Sequence, residues 1–271
     1  RHAAAGAART AVSEQGARSE QTLHPALRPG LALRQAVRGL RLQPQLTWSF
    51  SAAACGLHLL GWGLFAAGYS NDSAVLALLF HLFGVVLYTG SLIWLIEGLT
   101  RLSLAHGAGR RLRWRQLARW HGHQSWTLAL GLLNTALSAA AAALAGFMAW
   151  SLVVFLAPVL SLLPALLALA AVTAVLLSQL FNPCLVLGDH LSPSAAYGRG
   201  IALLRWHWRT LMVLLPVLLL LLALPFGLGL LAEALGAGLG VVVTVMAMVM
   251  VLPLIAATVG AAYQQLKPEA R

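Results

Sequence analysis

Apolar residues run along this chain in long blocks separated by short basic stretches. Positions 42–71 hold no Asp, Glu, Lys or Arg, and neither do 73–96, 120–188, 210–232 or 234–266. Each block reaches the roughly 20 residues that a helix needs to cross about 30 Å of hydrocarbon. The block 120–188 is long enough for two crossings. The pattern predicts an all-α fold: a polytopic transmembrane bundle of six spans, near 46–69, 74–99, 126–150, 162–187, 208–231 and 236–263. The six pair as three hairpins in one domain over 31–264. A flexible tail is expected over 1–30 and a short one over 265–271, both too poor in apolar residues to pack.

A basic, partly amphipathic stretch precedes each hairpin: 31–48, 110–126 and 192–210. Arg34 and Arg38 are four residues apart, as are Arg111, Arg115 and Arg119, and Arg205 and Arg209. Four residues make about one helical turn, so each set is predicted to share one helix face. Such a helix lies in the interface, with Leu and Trp down and Arg up to the phosphates. These seven arginines are the expected contacts for anionic lipid headgroups. In the third stretch, Ser192 suits a cap and Pro193 the first helical position. The apolar link 151–161 is expected to extend the helices and break near Pro158, because irregular backbone is not tolerated in lipid. Ala139–Ala143 offer a smooth surface for close helix contact.

Composition agrees. The chain is 60% apolar and 9% charged, whereas soluble domains carry about a quarter charged residues. The net charge of +11 does not indicate nucleic-acid binding, because the cations flank apolar spans instead of forming a separate basic domain. With six spans, all eighteen Lys and Arg fall on one side. The positive-inside rule then places both termini in the cytoplasm. Trp48, Trp114, Trp120, Trp126, Trp206 and Trp208 mark the same face, and Trp150 the other.

Residues 182–212 read as a helix end with Asn182-Pro183, a polar turn, Ser192-Pro193, an Ala-rich helix, a basic-aromatic patch and a new span. This layout resembles that of uncharacterised bacterial six-span proteins related to the membrane domain found beside glycerophosphoryl diester phosphodiesterases. The resemblance implies the cytoplasmic membrane of a bacterium. It brings no catalytic residues and, without a soluble phosphodiesterase domain, no such activity.

Candidate chemistry is sparse. His58 lies about 12 residues inside the first span, ~18 Å from its basic end, and His81 enters the second span from the other side to a similar depth. Two imidazoles at one level on neighbouring helices can ligate a haem or a chlorophyll, or bond to facing helices. Glu97 precedes Arg101 by four residues, the favourable order for a helical ion pair. Asp189 and His190 fit a turn before a capped helix. Cys55 and Cys184 read as small buried apolar residues. No nucleotide-binding, metalloprotease or paired-carboxylate motif is present, so no catalytic or metal site is expected. The function expected is a non-enzymatic inner-membrane protein with an organising or accessory role. The alternatives are an accessory subunit of an energy-converting complex and a small-solute transporter.

Overall fold

The computed structural model describes residues 27–267. The predicted tail up to residue 26, with Arg1, Arg9 and Arg18, lies outside the described residues, as does 268–271. Among the described residues the fold is all helical: α1 (Pro29–Leu40), α2 (Pro44–Tyr69), α3 (Ala74–Gly107), α4 (Trp114–Ala118), α5 (Gly122–Leu156), α6 (Leu162–Ser178), α7 (Asn182–Gly188), α8 (Pro193–Glu233) and α9 (Leu239–Leu266). Six helical segments are long and apolar enough to cross a membrane, with α6 and α7 together forming the fourth. The chain is a polytopic bundle of three hairpins, α2–α3, α5–α6/α7 and α8–α9.

Helices in lipid gain little from burying apolar side chains against each other, so close packing needs small residues at the contact. In the first hairpin a side chain on Gly61 would strike the backbone of Tyr88, and one on Gly84 the backbone of Phe65. In the third, Gly229 faces Gly240 and Thr244. The turn between α8 and α9 is fixed by Glu233. Its carboxylate accepts from the amides of Gly238 (3.1 Å) and Gly240 (2.9 Å), satisfying donors that the start of α9 leaves open. Helix α9 is the hub and packs against α1, α2, α3 and α8.

The middle hairpin is buried at its basic end, where Leu177, Phe181 and Leu185 join the core, and open beyond it. The buried residues of α5 are Ser125, Leu128 and Gly131, all near its basic end. Beyond them one face of α5 is half-buried against α6 and the rest is exposed, and Phe155 and Val159 at the tip are almost fully exposed. Helix α5 continues to Leu156, and the chain breaks at Ala157 (φ −152°) into a single 3₁₀ turn over Pro158–Leu160. Pro158 disfavours helical backbone in the residue before it, so the break falls where the sequence places it. A side chain at Gly146 of α5 would strike Ala168 of α6, so the two helices approach closely one turn beyond the alanine run.

The three basic stretches differ in form. The first is a separate amphipathic helix, α1, with Ala32 and Ala36 buried and Arg34 and Arg38 exposed. The third is continuous with its span in α8, capped by Ser192 and kinked at His207 (φ −120°, ψ 20°). That kink lies between Arg205 and Arg209, so the expected single face is broken there. The second stretch corrects the sequence reading most. Between Arg110 and Arg119 only Trp114–Ala118 is helical, with extended backbone at Arg113 and Arg119 on either side, and helix resumes at Gly122. The cause is a clamp. The Gln43 amide donates to the Leu112 carbonyl (2.8 Å) and accepts from the Leu112 amide (2.9 Å). Both backbone groups of Leu112 are therefore spent outside any helix.

Candidate functional site: a basic vestibule

Glu97 lies near the basic end of α3 and is 2% exposed. A buried carboxylate is costly unless it is paired and hydrogen-bonded, and Glu97 is both. Its Oε1 pairs with Arg101 at 2.7 Å, one helical turn on. Its Oε2 accepts from Ser125 of α5 at 2.5 Å. Arg101 in turn donates to His121 Nε2 (2.8 Å) and to Gln124 (2.5 Å). That bond makes Nε2 the acceptor and leaves the proton of a neutral ring on Nδ1, which faces Glu97 at 3.4 Å. The Gln124 amide reaches on to His190 Nδ1 at 3.1 Å. His190 adopts a left-handed φ of 55° in the turn before Ser192.

Above this network opens a cavity of about 870 Å³. Six cations line it: Arg101, Arg110, Arg111, Arg115, Arg119 and Lys267. Two are neutralised, Arg101 by Glu97 and Lys267 by Asp189 at 2.6 Å. Arg110, Arg111, Arg115 and Arg119 have no carboxylate partner among the described residues. Leu104, Leu112 and Leu187 add apolar surface to its lining. Guanidinium groups meet phosphate with two parallel hydrogen bonds, so four of them around one cavity suit a phosphoryl group or several. The unclamped form of the link, one long helix, would spread these side chains along its length. The clamp at Leu112 and the burial of Leu117 beneath Trp94, whose indole donates to the Leu117 carbonyl (3.2 Å), gather them into one basin.

The other residues singled out from sequence lie elsewhere. Arg34 and Arg38 sit on α1, and Arg205 and Arg209 on α8, with Arg209 over the Trp208 ring at 5.4 Å. His58 and His81 do not meet. His58 faces the Tyr88 carbonyl (3.1 Å) and Ser91 Oγ (3.3 Å). His81 donates to the Ala77 carbonyl of its own helix (2.7 Å) and packs against Gly68, Phe65 and Tyr69. Positions 58 and 68 are ten residues apart on α2, ~15 Å along the axis. The depth counted from the two span ends therefore misplaced one of them, because α2 and α3 carry different lengths of helix outside the crossing point.

Fold and site together define a polytopic, all-α membrane protein with an arginine-lined vestibule at one face. No family model matches the chain, and no curated protein or solved structure is similar enough to match.

Proposed function

We propose that this protein is a non-enzymatic multi-pass protein of the bacterial cytoplasmic membrane. Its basic face is cytoplasmic, and it organises the membrane by holding phosphate-bearing anionic headgroups in the vestibule. One observation carries the reading: four arginines without carboxylate partners among the described residues line one cavity together with Leu104, Leu112 and Leu187. A phospholipid presents that combination of charge beside hydrocarbon at that depth. Each basic residue near an anionic surface contributes on the order of 1 kcal/mol. The likeness in layout to the membrane domain beside glycerophosphoryl diester phosphodiesterases is in keeping with a headgroup ligand. The pairing of Glu97 with Arg101 and Ser125 favours this role over solute transport, because the one fully buried carboxylate among the described residues is already compensated.

The test is native mass spectrometry of the protein released from membranes in mild detergent. The wild type is expected to retain anionic phospholipid. The triple variant Arg111→Gln/Arg115→Gln/Arg119→Gln is expected to lose it while keeping zwitterionic lipid. Equal anionic retention in the two would assign these arginines to a protein partner, as in an accessory subunit.

A further inference from the structure

Asn134 lies on α5, eight residues beyond Trp126 and so ~12 Å past that indole along the helix axis. Trp126 is exposed and marks the interface, which puts Asn134 well inside the roughly 30 Å of hydrocarbon. An Asn side chain is too short to reach the headgroups from there. The hydroxyls of Thr127, Thr135 and Ser151 on the same helix each donate to the carbonyl four residues earlier. Asn134 is exposed, and its carboxamide makes no hydrogen bond to any described residue. Hydrocarbon offers no partner, so an amide left open at this depth is unfavourable until another protein group meets it.

Asn134 also heads a seam. Leu137, Ala141, Leu144 and Met148 follow it at alternating steps of three and four residues, and all five are exposed. A repeat of about 3.5 residues is the pattern of two helices packed side by side. Ala141 lets the backbones come close. Helix α6 sits on another face of α5, where Ala142 and Gly146 are half-buried, and so leaves the seam uncovered. Copies of a membrane protein share one orientation in the bilayer. A twofold axis along the membrane normal therefore sets two α5 helices parallel, with each seam residue facing its own counterpart. Asn134 then meets Asn134 at one depth. A carboxamide carries both donors and an acceptor, so the pair satisfies itself, which an acyl chain or an apolar helix face does not. A single Asn at such a position also fixes the register of the two helices.

We propose that this protein forms a parallel homodimer through the exposed seam of α5, with the two Asn134 side chains hydrogen-bonded to each other inside the membrane. The interface is separate from the vestibule and does not depend on what the vestibule holds.

The experiment uses the full-length protein in a Cys55→Ala/Cys184→Ala background, reconstituted in phosphatidylcholine vesicles. Single cysteines are introduced as Leu137→Cys and Ala141→Cys on the seam and as Ala143→Cys, which is exposed on the opposite side of α5 from Asn134. On oxidation, disulfide-linked dimer is expected from the two seam positions and not from Ala143→Cys. Energy transfer between donor- and acceptor-labelled copies, followed as the protein is diluted with lipid, gives the dissociation constant. Asn134→Leu is expected to weaken the dimer roughly tenfold, the scale of two interhelical hydrogen bonds. Asn134→Gln keeps the carboxamide and should restore much of the affinity. Because Asn134 is exposed, its replacement does not disturb the core of the monomer. The vestibule triple variant should dimerise as the wild type does. Four results would each overturn the dimer: a wild type that stays monomeric at the highest protein density, a dissociation constant unchanged in Asn134→Leu, cross-linking at Ala143→Cys as strong as on the seam, or association lost in the vestibule variant.

Discussion

Ser125 Oγ donates to Glu97 Oε2 at 2.5 Å, joining the base of the middle hairpin to the first across 28 positions of sequence. Helix α5 itself buries only Leu128 and Gly131 besides Ser125, so this bond and the Arg101–Gln124 contact (2.5 Å) tie its base to α3.

Glu97→Gln should therefore destabilise the protein strongly. It leaves Arg101, 20% exposed, without its counter-charge. Removing one partner of a buried pair costs about 3–5 kcal/mol, whereas replacing both by apolar residues is far milder. Glu97→Leu/Arg101→Leu should recover most of the loss. Unfolding curves in detergent for the single and double variants check this, and equal damage in both would argue against a pair acting as a unit.

Gln43→Leu should loosen the link without unfolding the bundle. Two hydrogen bonds to Leu112 are lost, about 1 kcal/mol each. Trypsin should then cut at Arg110 and Arg111 several-fold faster, with the melting temperature little changed. Retention of anionic phospholipid should fall too, because the arginine basin depends on the clamp.

Gly61→Val and Gly84→Val should each push α2 away from α3. The added carbons meet backbone at 2.5 Å, which no rotamer relieves. Overpacking of this kind costs roughly 1–3 kcal/mol. Gly63→Val, with open space around it, should be close to neutral in the same thermal assay.

His58→Leu and His81→Leu should act independently. The two rings lie ~15 Å apart along the helices, and distant sites add within about 0.5 kcal/mol. A double variant whose loss departs clearly from the sum would mean the two share a ligand or a partner.

Much of the architecture was legible because it rests on one-dimensional signals. Runs without charge mark the spans, Pro158 marks the break after α5, and Ser192-Pro193 marks the start of α8. The ion pair of Glu97 with Arg101 follows from helical spacing alone. The vestibule was not legible, because it depends on Gln43 holding Leu112, a contact over 69 positions with no periodic trace. The helical reading of 110–119 failed for the same reason: local spacing favours a helix there, and a distant side chain takes the backbone bonds. His121, Gln124 and Ser125 escaped notice too, although a polar cluster opening an otherwise apolar span is a signal of sorts. The depth of His81 was misjudged because a count from a span end ignores how far each helix extends beyond it.

The most direct test of the account is the sidedness of the vestibule. In a Cys55→Ala/Cys184→Ala background, single cysteines replace Ala108 beside the basin, Ser70 at the first outer turn and Leu235 at the third; all three positions are exposed. Intact cells are treated with a membrane-impermeant thiol reagent. Labelling at Ser70→Cys and Leu235→Cys, with Ala108→Cys reacting only after the membrane is opened, is the predicted result for six spans with a cytoplasmic basic face. Labelling of Ala108→Cys in intact cells would contradict it.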